Sequence, residues 1–148
     1  MKNANKTKLV WLTVCLVCGI ISINGCKKEH GRLNNQTELL VNIRNQYIGT
    51  FSGHEPCSIT GTENYQIYIA ASDTDSAAVR FNNLWNAHSN TTGLVNADGN
   101  IYISRQSIGY TSYITGRAMI LGEKIVVSYS IEDSQFGGNT DNCIWQQQ

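Results

Sequence analysis

The strongest constraint on the fold is an alternation of apolar and other residues that recurs after residue 60. In YQIYIAA (65–71) the alternate residues Tyr65, Ile67, Ile69 and Ala71 are all aromatic or aliphatic. The same period of two recurs in AVRF (78–81) and IYIS (101–104). Successive side chains of a β-strand point to opposite faces, so this period indicates strands with one buried face. No long helical pattern interrupts these runs and the chain has one proline, which favours antiparallel β-structure.

One turn also predicts a strand register. Gly122-Glu123 in LGEK suits a two-residue hairpin turn with glycine first. The predicted pairs are Leu121 with Lys124, Ile120 with Ile125, Ala118 with Val127, Gly116 with Tyr129, and Ile114 with Ile131. The last four pairs lie on one apolar face, so turn chemistry and residue pattern agree.

A second turn is predicted at Asp98-Gly99 in NADGN, a pair typical of type I′ hairpins. This turn would place Leu94 opposite Ile103 and Asn96 opposite Ile101. The expected strands lie near 46–52, 57–60, 64–71, 78–84, 91–96, 100–106, 111–121, 124–132 and 142–147, with 57–60 either separate or part of its neighbour.

A short helix is expected before the strands, over 37–45. Leu39, Leu40 and Ile43 would share one face of this helix, and Thr37 would be able to cap its start.

The first 25 residues have the order of a secretory signal. Three lysines come first, an uncharged run from Leu9 to Ile23 follows, and the small Gly25 ends the segment. The run is shorter than the ~20 residues that a membrane-spanning helix needs. An uncleaved membrane anchor is the alternative interpretation.

The sequence Ile23-Asn24-Gly25-Cys26 resembles the lipobox of bacterial lipoproteins. In that family the cysteine thiol is lipidated and the chain is cut before it. The resemblance implies a mature protein that begins at Cys26 and is held in a membrane by its acyl chains. The polar stretch 26–36 would be a tether, and 37–148 a single domain. Lys27 follows Cys26 where an aspartate would retain some lipoproteins in the inner membrane, so the resemblance favours the outer membrane of the cell envelope.

The lipoprotein interpretation also reduces the number of cysteines that could form a disulfide. Cys15 and Cys18 would leave with the signal and Cys26 would carry lipid, so Cys57 and Cys143 remain as one possible disulfide pair in an oxidising compartment. The alternative, a metal site that uses His54 and Cys57, has too few ligands at zinc spacing.

This disulfide would bring the last strand beside the first and remove the open edges of the sheet. We therefore predict an all-β fold, a small antiparallel up-and-down β-barrel of about eight strands preceded by a short helix. A β-sandwich with paired ends is the alternative.

The first predicted strand, QYIGTFSG after a short helix, is similar to the first strand of lipocalins. Gly49-x-Phe51 would match their Gly-x-Trp motif, with phenylalanine replacing tryptophan. The basic residue that the family places on its last strand has no equivalent in Cys143-Ile144-Trp145. The resemblance implies a fold more than a function.

Candidate site residues are few. His54 and Glu55 are adjacent in GHEPC, and Trp85 and His88 lie in a polar segment; we expect these four residues on exposed loops as a candidate surface site. No motif for a hydrolase, a zinc protease or a phosphate loop is present, so the sequence predicts neither a catalytic set nor a cofactor.

Charge excludes one class of partner. From Cys26 onward the chain has eight basic and eleven acidic residues, with no basic patch for nucleic acid. We predict a non-enzymatic envelope lipoprotein that acts as a binding module through its loops or outer face. The alternative is a lipocalin-like carrier of a small apolar ligand, but bulky residues on the predicted inner face favour a packed core.

Overall fold

The computed structural model describes residues 33–148, so the predicted signal and Cys26 lie outside the described residues. Residues 39–148 form one compact unit. A helix at 33–45 precedes eight strands. The strands are β1 Gly49–Pro56, β2 Thr62–Ala71, β3 Ala78–Asn82, β4 Asn90–Val95, β5 Ile101–Ser107, β6 Ser112–Leu121, β7 Lys124–Asp133 and β8 Thr140–Gln147.

The strands form a closed antiparallel barrel in sequence order, which confirms the predicted fold and excludes the sandwich. β1 and β8 pair through Gly53 with Gln147 and His54 with Gln146. Beyond these pairs Cys57 bridges to Cys143, and the structure joins the two sulfurs in a disulfide with Cα atoms 4.1 Å apart. The last strand therefore lies beside the first, as the predicted Cys57–Cys143 disulfide led us to expect.

A glycine on the inner side of β1 makes room for the largest core side chain. A Cβ atom at Gly53 would lie 2.2 Å from two ring carbons of Trp145 on β8. Gly116 on β6 likewise leaves room for its pairing partner Tyr129 on β7, since a Cβ atom at Gly116 would lie 2.5 Å from the Cβ of Tyr129. Both glycines are required by close packing across adjacent strands.

The register predicted for β6 and β7 is correct at every pair, including Gly116 with Tyr129. The register predicted for β4 and β5 is wrong by one residue, because Leu94 pairs with Tyr102 and Val95 with Ile101. The turn has three residues rather than two: the Asn96 N–H donates to the Asn100 carbonyl, and Gly99 takes the left-handed conformation. This geometry matches a three-residue hairpin with its left-handed residue last.

Other boundaries also differ from the prediction, and β1 begins at Gly49 rather than near residue 46. Residues 58–61 form a turn rather than a strand, and β1 instead continues to Pro56. Residues 33–36 are already helical, so the helix includes the last part of the expected tether. Thr37 is not a cap; its hydroxyl donates to the Leu33 carbonyl inside the helix.

The barrel interior is filled by side chains. The buried hydrophobic cluster consists of Tyr47, Ile67, Ile69, Val79, Phe81, Leu84, Val95, Ile101, Ile103, Ile114, Ala118, Ile125, Val127, Tyr129, Ile131, Cys143 and Trp145. Most of these residues are alternate positions of strands, as the period of two predicted.

The two ends of the barrel differ. The connections after β2, β4 and β6 define the helix end, where the Tyr47 hydroxyl donates to the Gly99 carbonyl and Arg44 donates to the Ser76 carbonyl. Leu40 and Ile43 pack against the core as expected, whereas Leu39 is exposed. The connections after β1, β3, β5 and β7 define the loop end.

The packed interior predicts unequal costs for two neighbouring substitutions on β7. Val127 is fully buried and Val126 faces outward, half-buried. We expect Val127→Ala to lower the free energy of unfolding by about 1–3 kcal/mol, because methyl groups are removed from a packed core. Val126→Ala should cost about 0.5 kcal/mol or less. Urea unfolding of both variants measures the difference, and equal costs would contradict a core on one face of β7.

Candidate functional site

A cavity of about 260 Å³ opens at the loop end of the barrel. Its walls come from the end of β1, the start of β2 and the connections that follow β1 and β3. The lining includes Glu55, Cys57, Thr60, Glu63, Trp85 and Asn86. We call this space the mouth cavity.

Glu55 lies on β1 at an inward position, and only 2% of it is exposed. The hydroxyls of Tyr65 and Tyr129 both donate to its Oε1 atom. Burial raises the pKa of Glu55 to about 7; the hydrogen bond from Tyr65 opposes this shift, and the charges of Glu63 and Asp141 add to it. Glu55 therefore changes its charge close to neutral pH.

Tyr65 links this carboxyl group to the loop above it. Its hydroxyl donates to Glu55 and accepts a hydrogen bond of 2.9 Å from the Trp85 backbone N–H. Burial, followed by the hydrogen bond and the charge of Glu55, raises the pKa of Tyr65, so the phenol stays protonated as a donor. Two hydrogen bonds of the same hydroxyl therefore connect the Glu55 carboxyl group to the backbone of Trp85.

The segment 83–88 has an unusual backbone. Asn83, Trp85, Asn86 and His88 all have positive φ angles, of 67°, 59°, 49° and 53°. Asparagine tolerates this left-handed region, but a bulky residue such as Trp85 rarely adopts it. Holding a bulky residue such as Trp85 there costs on the order of 1–3 kcal/mol, and strain of this kind concentrates at functional sites.

Specific contacts hold this strained segment in place. The Asn83 side chain donates to the Gln66 carbonyl at 2.9 Å, and its Oδ1 accepts from the His88 backbone N–H at 3.3 Å. The Trp85 ring meets the edge of Phe136, from the connection after β7, with ring centres 6.3 Å apart. The segment is therefore tied both to β2 and to a neighbouring loop.

A second buried carboxylate fixes the opposite wall. Asp141 on β8 is fully buried and accepts hydrogen bonds from Ser58, Ile59 and both the N–H and the hydroxyl of Thr60. Burial alone would raise the pKa of Asp141, but these hydrogen bonds together lower it below its ordinary value. Asp141 stays ionised and holds the turn after β1 as a rigid wall.

The disulfide borders the same cavity. A carboxylate oxygen of Glu55 and the sulfurs of Cys57 and Cys143 lie within 4.8 Å of one another. Metal ions bind the thiolate form of cysteine. Because the two sulfurs are bonded to each other, Glu55 is the only ionic group that this cluster offers to a ligand.

The structure separates the four candidate residues. Glu55 and Trp85 line one cavity. Glu55 does not lie on an exposed loop as we expected, because β1 continues past it and turns its side chain inward. His54 faces outward, where its Nδ1 lies 3.1 Å from the Asn64 Oδ1. His88 is exposed on the strained segment.

Sequence reasoning missed the two tyrosines, Glu63, Asn86 and Asp141. One signal was available: Tyr65 and Tyr129 occupy inward positions of strands, and a buried phenol needs a hydrogen-bond partner. Glu55, at an inward position near the end of β1, is that partner. Nothing in the local sequence of Asp141 distinguishes it from an exposed turn residue.

No protein-family model and no curated protein matches this chain at a significant level. Within residues 33–148, no helix is both long and apolar enough to cross a membrane.

The raised pKa of Glu55 predicts stability that falls as pH rises. Between the ordinary value of 4.5 and about 7, the folded protein keeps a proton that the unfolded chain releases, so rising pH favours unfolding. The loss amounts to roughly 3 kcal/mol and is nearly complete by pH 8. The lowered pKa of Asp141 makes the folded protein less stable as pH falls, the opposite of the effect of Glu55. This loss begins only at lower pH, near the ordinary pKa of an aspartate.

Unfolding measured from pH 5 to 8 tests this prediction. Glu55→Gln should flatten the profile, because the variant has no carboxyl group to titrate at this position. Glu123→Gln, in the exposed turn between β6 and β7, is the matched control and should keep the slope. A flat profile in the unsubstituted protein would contradict the assignment.

Proposed function

We propose that this protein is a lipid-anchored binding protein of the bacterial cell envelope, without catalytic activity, which engages its ligand or partner at the mouth cavity. The observation that carries this proposal is the strained segment 83–88, which forms part of the cavity wall. Natural chains maintain such strain where a particular surface must be presented. The lipid anchor rests on the lipobox-like sequence that ends at Cys26.

The architecture supports binding at this end rather than inside the barrel. The interior is occupied by side chains such as Phe81 and Trp145, which leaves little room for the apolar ligand of a lipocalin-like carrier. The helix end is covered by Leu40, Ile43 and Tyr47. The loop end has both a cavity and polar groups that converge on it, which is the usual composition of a binding site.

The anchor is tested by Cys26→Ala. We expect this variant to remain uncleaved and to leave the membrane fraction, because the lipidated thiol is the anchor in lipoproteins. Fractionation and mass spectrometry of the mature protein measure both effects. Normal mature mass and full membrane association in the variant would refute the lipid anchor, and an outer-membrane location is read from the same fractions.

The binding site is tested by matched cysteine labelling. Ala87 lines the mouth cavity and Ala97 is exposed at the helix end, so Ala87→Cys and Ala97→Cys place the same thiol at opposite ends. We expect a maleimide to label position 87 at least about threefold more slowly in native envelopes than in purified protein, because a bound ligand shields the cavity.

Position 97 should label equally in both preparations. Intact mass of each variant first verifies that the Cys57–Cys143 pair is undisturbed. Equal labelling of position 87 in envelopes and in purified protein would argue against an occupied site at the loop end.

A further inference from the structure

The mouth cavity contains negative charge without a counter-charge. Glu55 and Glu63 are direct partners in the register of β1 and β2, so both side chains project from the inner side of the sheet. Like charges directly opposite each other are destabilising. Among the described residues the ion pairs are Arg80 with Asp73 and Arg105 with Glu132, and no lysine or arginine lines the cavity.

One oxygen of the buried carboxyl group is free for a ligand. Both tyrosine hydroxyls donate to the Oε1 atom of Glu55. Within residues 33–148 no protein donor reaches its Oε2 atom, and this oxygen is not one of the fully buried side-chain atoms that lack a partner, so it keeps access to solvent where Glu55 lines the cavity. A carboxylate oxygen has lone pairs for two hydrogen bonds. A ligand that supplies an N–H donor would satisfy this atom.

The walls limit the size and the chemistry of such a ligand. The volume of about 260 Å³ is below the range of roughly 300–1,000 Å³ for drug-sized ligands, so the ligand or the inserted group is small. Trp85 supplies an aromatic surface, which attracts cations as well as apolar groups. Thr60 and Asn86 add polar atoms at the rim.

We propose that the mouth cavity binds a small organic ammonium group, with its N–H donors on the Oε2 atom of Glu55, its charge balanced by Glu55 and Glu63, and its carbon chain against Trp85. This proposal rests on the binding role proposed above and names the ligand class. An apolar ligand would leave the Oε2 atom of Glu55 without a donor. Calcium requires six to eight oxygen ligands, whereas the cluster of possible metal ligands around Glu55 consists of this carboxyl group and the two disulfide sulfurs, within 4.8 Å of one another.

The pH dependence of binding offers a further test of the ammonium ligand. The ionisable groups that face Glu55 are Glu63 and Tyr65 on β2, Tyr129 on β7 and Asp141 on β8. None of them is basic. Burial and the neighbouring carboxylates raise the pKa of Glu55 to about 7, so an ammonium group binds the ionised form and competes with a proton. Affinity should increase roughly tenfold between pH 6 and pH 8.

Calorimetry on the full chain in detergent tests the proposal, with butylammonium chloride as the probe. Butan-1-ol is the neutral analogue with the same number of heavy atoms, and calcium chloride tests the metal alternative. We expect saturable binding of butylammonium alone, weakened about tenfold or more in Glu55→Gln, because a charge-assisted hydrogen bond is lost. The matched control Glu123→Gln should bind like the unsubstituted protein.

Three outcomes would overturn the proposal: no saturable binding of butylammonium, equal binding of butan-1-ol, or calcium binding that depends on Glu55. If Glu55→Gln does not fold, the pH dependence of the unsubstituted protein and the weaker binding expected of Glu63→Gln decide the question. Shielding of a thiol at position 87 in native envelopes, together with no butylammonium binding, would leave the binding role intact and reject only the ammonium ligand.

Discussion

Closure of the sheet between β1 and β8 is the constraint on which the rest of the structure depends. An eight-strand sheet with open edges would expose unpaired backbone groups, and pairing of the first strand with the last removes both edges. The pairing succeeds because Gly53 leaves room for the Trp145 ring, so the largest core side chain packs against bare backbone. The Cys57–Cys143 pair sits at the end of the same seam.

The pairing of β1 with β8 also shapes the candidate site. Extending β1 to Pro56 places Glu55 inside the barrel, where Tyr65 and Tyr129 reach it from two other strands. Three strands therefore converge on one carboxyl group. Polar groups buried together in this way are costly unless they are paired. Here both tyrosine hydroxyls pair with the Oε1 atom of Glu55, and no donor among residues 33–148 reaches its Oε2 atom. The barrel positions an acceptor at the bottom of a small cavity.

The strained segment and the carboxyl group act as one unit. Tyr65 accepts from the Trp85 backbone while donating to Glu55, so the loop that lines the cavity is hydrogen-bonded to the group that would hold the ligand. Asp141 keeps the opposite wall rigid from β8. A binding site with fixed walls loses less conformational entropy when it takes up a ligand, which favours affinity for a small group. At the helix end, Leu40, Ile43 and Tyr47 instead pack against the core.

The period of two, the glycine-first turn at Gly122 and the Cys57–Cys143 pair determined the fold class, the β6–β7 register and the pairing of the terminal strands. These features are local or follow from strand geometry, so the sequence carries them. The wrong register at Asp98-Gly99 shows the limit, because the same dipeptide fits either a two-residue turn or the last two positions of a three-residue turn, and the local sequence does not choose between them. The site was decided by tertiary structure. Glu55, Tyr65, Tyr129 and Asp141 come from β1, β2, β7 and β8, and only closure of the barrel buries them near one another. Closure also moves the pKa values of Glu55 and Asp141 in opposite directions.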